Sequence, residues 1–263
     1  MYSIDGIALH NPGMGWKFRG PSRPLSDLNA EKQSLRQPGV PGVVADVDDR
    51  LASLLPPAPT FMVQTPRRHY ADLLSLFVDG EILSLSNNPD RQARYDFLSS
   101  SHNGLGDADS TVDVTATLRL PGVFWRDTEE RTISTPITSA SMTLDLWVGT
   151  GLITDAVIRA RAPFADLVLR SRKSVLRLGA LGIAGQFIRY HCATGRAYLT
   201  TTDTWTGGAL ITGATSAVGP GNRFGIYPTR TSPSEARARL TIATFSRGSG
   251  AQLEVRGRGA HVA

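Results

Sequence analysis

The feature that most constrains this chain is the alternation across residues 111–120. Val112, Val114, Ala116, Leu118 and Leu120 take every second position, and Asp113, Thr115, Thr117 and Arg119 take those between. Successive side chains of an extended backbone point to opposite faces. A period of two therefore predicts a strand with one face in a core. Pro121-Gly122 ends it, because proline has no N–H for the ladder and glycine accepts turn geometry. Phe124-Trp125 follows as an aromatic anchor at the corner, then Arg126-Asp127. The stretch reads as scaffold, with no residue pattern that carries chemistry.

The single cysteine, Cys192, excludes an intrachain disulfide. Stability then rests on burial or on assembly with other copies. A hydrophobic content of 41% supports a real core, and 263 residues suit two ordinary domains or one large β domain. Residues 1–10 have neither a basic start nor an apolar run, so no secretory signal is expected. No stretch approaches the roughly 20 apolar residues of a membrane span. The formal net charge is +5, and only Lys17, Lys32 and Lys173 among the 28 basic residues are lysines. These residues are scattered, which fits a solvated surface or protein interfaces better than a nucleic-acid patch. The 26 glycines and 16 prolines fit many short strands with tight turns.

Along the chain, residues 2–9 read as a short strand with a turn at Asp5-Gly6, and Asn11-Pro12-Gly13 is a strong turn. Trp16 and Phe18 then alternate with Lys17 and Arg19, predicting a second strand. Residues 20–59 are broken by seven prolines. We expect an extended arm or hairpin there, with a helical turn or irregular loop over 28–36 and a strand over 43–47, ordered by a neighbouring subunit. Thr65 as N-cap and Pro66 at the first helical position predict a helix over 65–77. Tyr70, Leu73, Leu74 and Phe77 form its apolar stripe. Strands are expected over 82–85 and 92–98, then a polar loop over 99–109. Residues 131–146 carry short strands, and Gly149-Thr150-Gly151 suggests a hinge. The expected domains are therefore 1–150 and 151–263. The second half reads as all-β, with strands near 157–160, 166–170, 175–178, 187–191, 196–200 and 236–245, as in a sandwich or jelly roll.

Catalytic and cofactor patterns are absent from the sequence. His10, His69, His102, His191 and His261 lack metal-ligand spacing, and Cys192 has no thiolate partner. His191 and Cys192 are neighbours on a predicted strand, so they face opposite ways and form no catalytic pair. There is no phosphate-cradling glycine loop and no Gly-x-Ser-x-Gly elbow. Asp46, Asp48, Asp49, Glu129 and Glu130 read as solvated loop carboxylates rather than a glycosidase pair. One aromatic-plus-polar set, Trp205 with Asp203, Asn222 and Arg223, is of the kind that stacks on a sugar ring. The competing reading is that Trp205 caps a sandwich end.

The order of these features carries a resemblance. A short N-terminal strand with a Gly15-Trp16 turn precedes a proline-rich arm and a capped helix. A strand over 82–85, the Leu-Pro-Gly-Val-Phe-Trp-Arg-Asp block at 120–127 and an all-β half with glycine turns follow. This resembles the distal tail proteins, or minor tail proteins, of long non-contractile-tailed bacteriophages. The resemblance covers most of the chain except 20–59, and 120–127 is its most specific piece. It implies a mainly β protein: an N-terminal β-sandwich or barrel-like domain with one helix, and a C-terminal galectin-like β-sandwich. It further implies a hexameric ring at the distal end of the virion tail, joining the tail tube protein to the tip protein. No enzyme activity, cofactor or membrane partner is implied. Trp16, Phe18 and Arg19, with the arm, are the expected subunit contacts. The alternative is a carbohydrate-binding module that recognises host surface glycans through its C-terminal half.

Overall fold

The computed structural model describes residues 1–23, 34–35, 44–45, 54–103, 110–213 and 215–262. The chain is mainly β, with one α-helix and several antiparallel sheets, none of them a closed barrel among the described residues. It divides into two compact units, Met1–Thr128 with Val262, and Glu129–His261. The division falls at Thr128–Glu129 rather than near Gly149-Thr150-Gly151. The strands Arg131–Pro136 and Ser141–Val148 pair with Gln252–Gly257 and Ala236–Ala243, which places both in the second unit. Gly149 is no hinge. Its N–H donates to the Ala236 carbonyl, and a Cβ there would fall on the Ala260 carbonyl.

The first unit is organised by the strand Thr111–Arg119, which alternates buried and partly exposed residues as its sequence requires. It lies between Thr60–Pro66 and Asp96–Asn103, and Lys17–Arg23 pairs with the far side of Thr60–Pro66. Val112, Val114, Ala116 and Leu118 are fully buried and pack with Phe61, Val63, Leu73 and Phe77. Leu120 and Trp125 close the same core. A second sheet orders Ile7–Ala8, Tyr2–Ile4, Ile82–Leu85, Asn88–Arg94 and Trp125–Asp127.

The helix runs Tyr70–Asp79, after a 3-10 turn at Arg67–His69, and so begins later than its sequence predicts. Pairing with Thr111 keeps Pro66 in the strand. Thr65 is buried there, and its hydroxyl donates to the Pro66 carbonyl instead of capping a helix. Leu73 and Phe77 face the core as the stripe requires. At the other end Tyr95 donates to the carbonyls of Leu76 and Phe77, at 3.2 and 3.1 Å, which satisfies two acceptors of the last turn. Tyr95 also breaks the single strand expected over 92–98 into two strands of different sheets.

Of the expected arm, the structure describes the strand Lys17–Arg23 and an antiparallel pair, Ser34–Leu35 with Val44–Ala45. Of the helical turn or loop expected over 28–36, residues 34–35 are strand and the rest lie outside the described residues. Of the polar loop expected over 99–109, residues 99–103 continue the strand Asp96–Asn103 through pairing with Thr111–Arg119, and 104–109 lie outside the described residues.

The second unit holds a two-stranded sheet, Phe164–Ala165 with Ser246–Arg247, and two large antiparallel ones. One orders Arg131–Pro136, Gln252–Gly257, Val157–Arg161, Phe187–His191, Arg196–Thr200 and Ala209–Ile211. The other orders Ser141–Val148, Ala236–Ala243, Leu167–Ser171, Ser174–Leu178 and Thr215–Val218, with Pro228–Arg230 added beside Ala236–Ala243. Ile158, Ala160, Ile188, Tyr190, Leu253 and Val255 of the first sheet are buried, as are Leu167, Leu169, Leu176, Leu240 and Ile242 of the second. A Cβ on Gly257 of the first sheet would lie 3.1 Å from the Trp147 ring of the second, so the sheets meet as a sandwich.

The weight of the alternating strand is measurable. Leu118→Ala empties a fully buried position and should destabilise the first unit by about 2–5 kcal/mol. Leu98→Ala, at a side chain 48% exposed, should change stability by less than about 0.5 kcal/mol. Urea unfolding followed by tryptophan fluorescence compares the two.

Candidate functional site

The sheet containing Val157–Arg161 has one face in the sandwich and one face outward. Its outward residues come from strict alternation. Arg159 stands opposite Arg189 on one side and opposite Glu254 on the other, and Arg189 stands opposite Tyr198. The strand Phe187–His191 is buried at Phe187, Arg189 and also at Ile188 and Tyr190, so both of its faces are covered.

Residues 201–208 cover the outward face. Trp205 lies over the Arg159 guanidinium at 4.4 Å and over that of Arg256 at 5.6 Å. The Arg159 Nη1 is 2.7 Å from the Asp203 carboxylate, and its Nε donates to Glu254 at 2.5 Å. Phe187 sits under Arg159, with 4.9 Å between guanidinium and ring centroid. Arg189 donates to the Gly207 carbonyl at 2.5 Å and to His191 Nε2 at 3.0 Å, and lies 5.3 Å from the Tyr198 ring. Gly208 permits the close return of this segment, since a Cβ there would stand 2.7 Å from the Leu199 carbonyl oxygen.

Two of the four residues expected at a glycan site therefore meet, and two do not join them. Asp203 and Trp205 share Arg159. Asn222 and Arg223 belong to the turn after Gly219, where Arg223 donates to the Ala193 carbonyl and lines a hollow with Asp155 and Cys192. The next residue, Phe224, donates its N–H to Tyr190, whose side chain points to the sandwich side of the sheet. The sheet thus stands between Arg223 and Trp205. Sequence reading missed Arg159, Arg189, Arg256 and Glu254. Their signal was the charged residues that alternate with apolar ones over 157–161, 187–191 and 253–256. Which strands adjoin was not readable.

The expected subunit contacts separate in the same way. Trp16 is 3% exposed and belongs to the first unit's core, so its ring offers no face to a neighbouring copy. Phe18 packs on Tyr2 and Phe61, with ring centroids 5.9 and 6.3 Å apart. Arg19 is exposed and donates to Gln64 at 2.7 Å. Lys17–Arg23 is one edge of its four-stranded sheet and Asp96–Asn103 is the other. From Ser99 to Asn103 every residue of that second edge is exposed.

His191 and Cys192 do face opposite ways. Cys192 is buried, and burial followed by the Asp155 charge pushes its thiol well up. Glu129 and Glu130 are engaged by Arg131 and Arg256. Asp46, Asp48 and Asp49 lie outside the described residues. No group of three or more His, Cys, Asp or Glu residues suited to a metal occurs among the described residues.

No family model matches the chain, and no curated protein matches it. Solved structures do. The crystal structure of SPP1 Dit (gp 19.1), described as a paradigm of the hub adsorption apparatus in Gram-positive-infecting phages, aligns over 98% of this chain and 98% of that one. The TM-score is 0.59 and the identity 13%. The chain has the fold of that hub protein. The phage p2 baseplate in its activated conformation, with strontium or with calcium, aligns over 92% of this chain and 90% of that one at 9% identity. TM-scores of 0.33 and 0.32 give those two alignments no weight.

The arginine cluster makes two measurable demands. Glu254→Gln leaves the buried Arg159 charge short of its inner partner and should cost about 3 kcal/mol. Asp203→Asn, at a side chain 71% exposed, should cost no more than about 1 kcal/mol. Thermal unfolding of the two variants checks the contrast.

Burial, and then the Arg189 charge, hold the His191 imidazole below its ordinary pKa. The unfolded chain therefore takes up this proton before the folded one does. The stability that His191 contributes is complete above about pH 6.5 and is lost as pH falls below it. His191→Gln, which keeps an acceptor for Arg189, should flatten the decline of Tm between about pH 7 and pH 5. A pH series of melting curves reads this directly.

Proposed function

We propose that this chain is a structural protein of the phage tail tip, placed at the distal end of the virion tail. Copies of it form a ring, hexameric as the family resemblance implies, that joins the tail tube protein to the tip proteins. The full-length fold likeness to SPP1 Dit is the observation that carries this reading.

The first unit supplies a physical means of assembly. Its four-stranded sheet ends in two unlike edges, Lys17–Arg23 and Asp96–Asn103, each carrying N–H and C=O groups without strand partners among the described residues. An unpaired edge is a template for another strand. Apposing one edge to the opposite edge of the next copy is a heterologous contact, which closes into a ring when the rotation per copy permits. Phe18 and Arg19 belong to one of these edges and remain the candidate contacts. The arm over 20–59 joins them in this reading.

The alternative is a C-terminal unit that recognises host surface glycans. It is supported by Trp205 and Asp203, which share the outward face over Arg159, and it loses Asn222 and Arg223.

Native mass spectrometry of the purified protein at rising concentration should give a closed oligomer. Arg19→Glu should shift the population toward monomer while leaving the circular dichroism spectrum unchanged. A wild-type protein that stays monomeric at high concentration, with no ring in assembled tails, overturns the proposal.

A further inference from the structure

The outward face of the Val157–Arg161 sheet holds a charge that no carboxylate among the described residues neutralises. Arg189 is 3% exposed, and its partners are an imidazole, a carbonyl and a tyrosine ring, with no carboxylate among them. Its Nη1 has no hydrogen-bond partner. Arg159, directly opposite on the next strand, is 4% exposed. Its Nη1 lies close to Asp203 but makes no hydrogen bond of acceptable geometry. Two like charges side by side on neighbouring strands repel, and a buried unpaired guanidinium is costly. Burial accordingly lowers the proton affinity of Arg189, with Tyr198 opposing it and the Arg159 charge adding to it. An anion seated between the two guanidinium groups would offset both charges.

The cover over the pair is held by the pair itself. Asp203 reaches Arg159, the Gly207 carbonyl reaches Arg189, and Trp205 stacks on Arg159 and Arg256. The hydroxyl bonds of Thr200, Thr202 and Thr204 are local to the segment and its own strand. Gly207 and Gly208 have φ of 69° and 95°, a backbone that lets the segment turn sharply. Asp203 is thus an internal stand-in: an exposed carboxylate resting on a buried guanidinium.

We propose that Arg159 and Arg189 form a binding site for an oxyanion, carboxylate or phosphate, borne by an acidic saccharide, with residues 201–208 as its lid and Asp203 as the group the ligand displaces. Guanidinium suits both anions, because its planar fork presents paired N–H donors. Trp205, released from Arg159, then offers its ring to the sugar. The saccharide part of this proposal rests on the glycan reading. The anion part stands on the two arginines alone.

The test is titration of the full chain with inorganic phosphate, glycerol phosphate, oligogalacturonate and a neutral dextran oligosaccharide, followed by tryptophan fluorescence. Saturable binding of oligogalacturonate or of a phosphate probe is expected, and which of the two binds tells carboxylate from phosphate. Arg189→Gln should weaken it by at least about tenfold. Asp203→Asn, which removes the stand-in, should tighten it by about two- to fivefold. Arg170→Gln, the same loss of charge at an exposed position of the other sheet, should leave it unchanged. Trp205→Ala should remove the fluorescence response and weaken oligogalacturonate more than inorganic phosphate. Arg189→Met should weaken binding to the same degree yet unfold at a temperature no lower than wild type without anion, which excludes loss of fold as the cause. Binding of the neutral oligosaccharide alone overturns the anion site and leaves the glycan reading standing. Binding of none of the four overturns both. Equal weakening by Arg189→Gln and Arg170→Gln reduces the effect to diffuse charge and overturns the site.

Discussion

The pairing of Thr111–Arg119 with strands on both sides is the constraint on which the first unit depends. Its register sends Val112, Val114, Ala116 and Leu118 into one core. A slip of one residue would expose all four and bury Asp113, Thr115 and Thr117 in their place. With the register fixed, Phe61 and Val63 of the neighbouring strand fall on the same face. The helix then covers that face with Leu73 and Phe77, and Tyr95 ties the helix's last carbonyls to the turn between two strands. Burial pushes the Tyr95 phenol well up, with the Asp5 and Asp79 charges adding to it, so it stays a hydrogen-bond donor. The same pairing leaves two edges without strand partners among the described residues, and these are what the proposed assembly uses.

The second unit solves a different problem. Its two large sheets bury apolar faces against each other, yet one of them carries arginines on its outward side. Lysine could not sit there in the same way. A guanidinium spreads its charge over a plane, stacks on Phe187 and Trp205, and still donates sideways to Glu254. The arginine bias of the sequence, with only three lysines, acquires a local meaning at this face. Arg189 remains the exception: it is stacked and hydrogen-bonded but has no counter-ion among the described residues.

Much of the fold was legible where it is local. The alternation at 111–119 and at 187–191, the helix stripe and the turn at Pro121-Gly122 are written in adjacent residues. What was misplaced depends on distant partners. Thr65-Pro66 has the form of a helix start, but ladder bonds to Thr111 hold it in a strand. Residues 131–148 follow the first unit in the chain, yet their partners are Gln252–Gly257 and Ala236–Ala243, 89 to 126 positions further on. Trp16 was expected at a subunit contact as part of a strand in which it alternates with Lys17 and Arg19, and only the core reveals its position. The Trp205 set failed for the same reason. Turns close in sequence order to strand ends were assumed to share a face, and Arg223 lies across the sheet from Trp205.

The central claim is that the chain works by taking a place in a closed ring through the two edges of its N-terminal sheet. Cryo-electron microscopy of the assembled oligomer, or of intact tails, tests it most directly. The account predicts a ring in which Lys17–Arg23 of each copy runs beside Asp96–Asn103 of the next, so that the four-stranded sheets continue around the circumference. A ring joined through the C-terminal units, with both edges open to solvent, would contradict it.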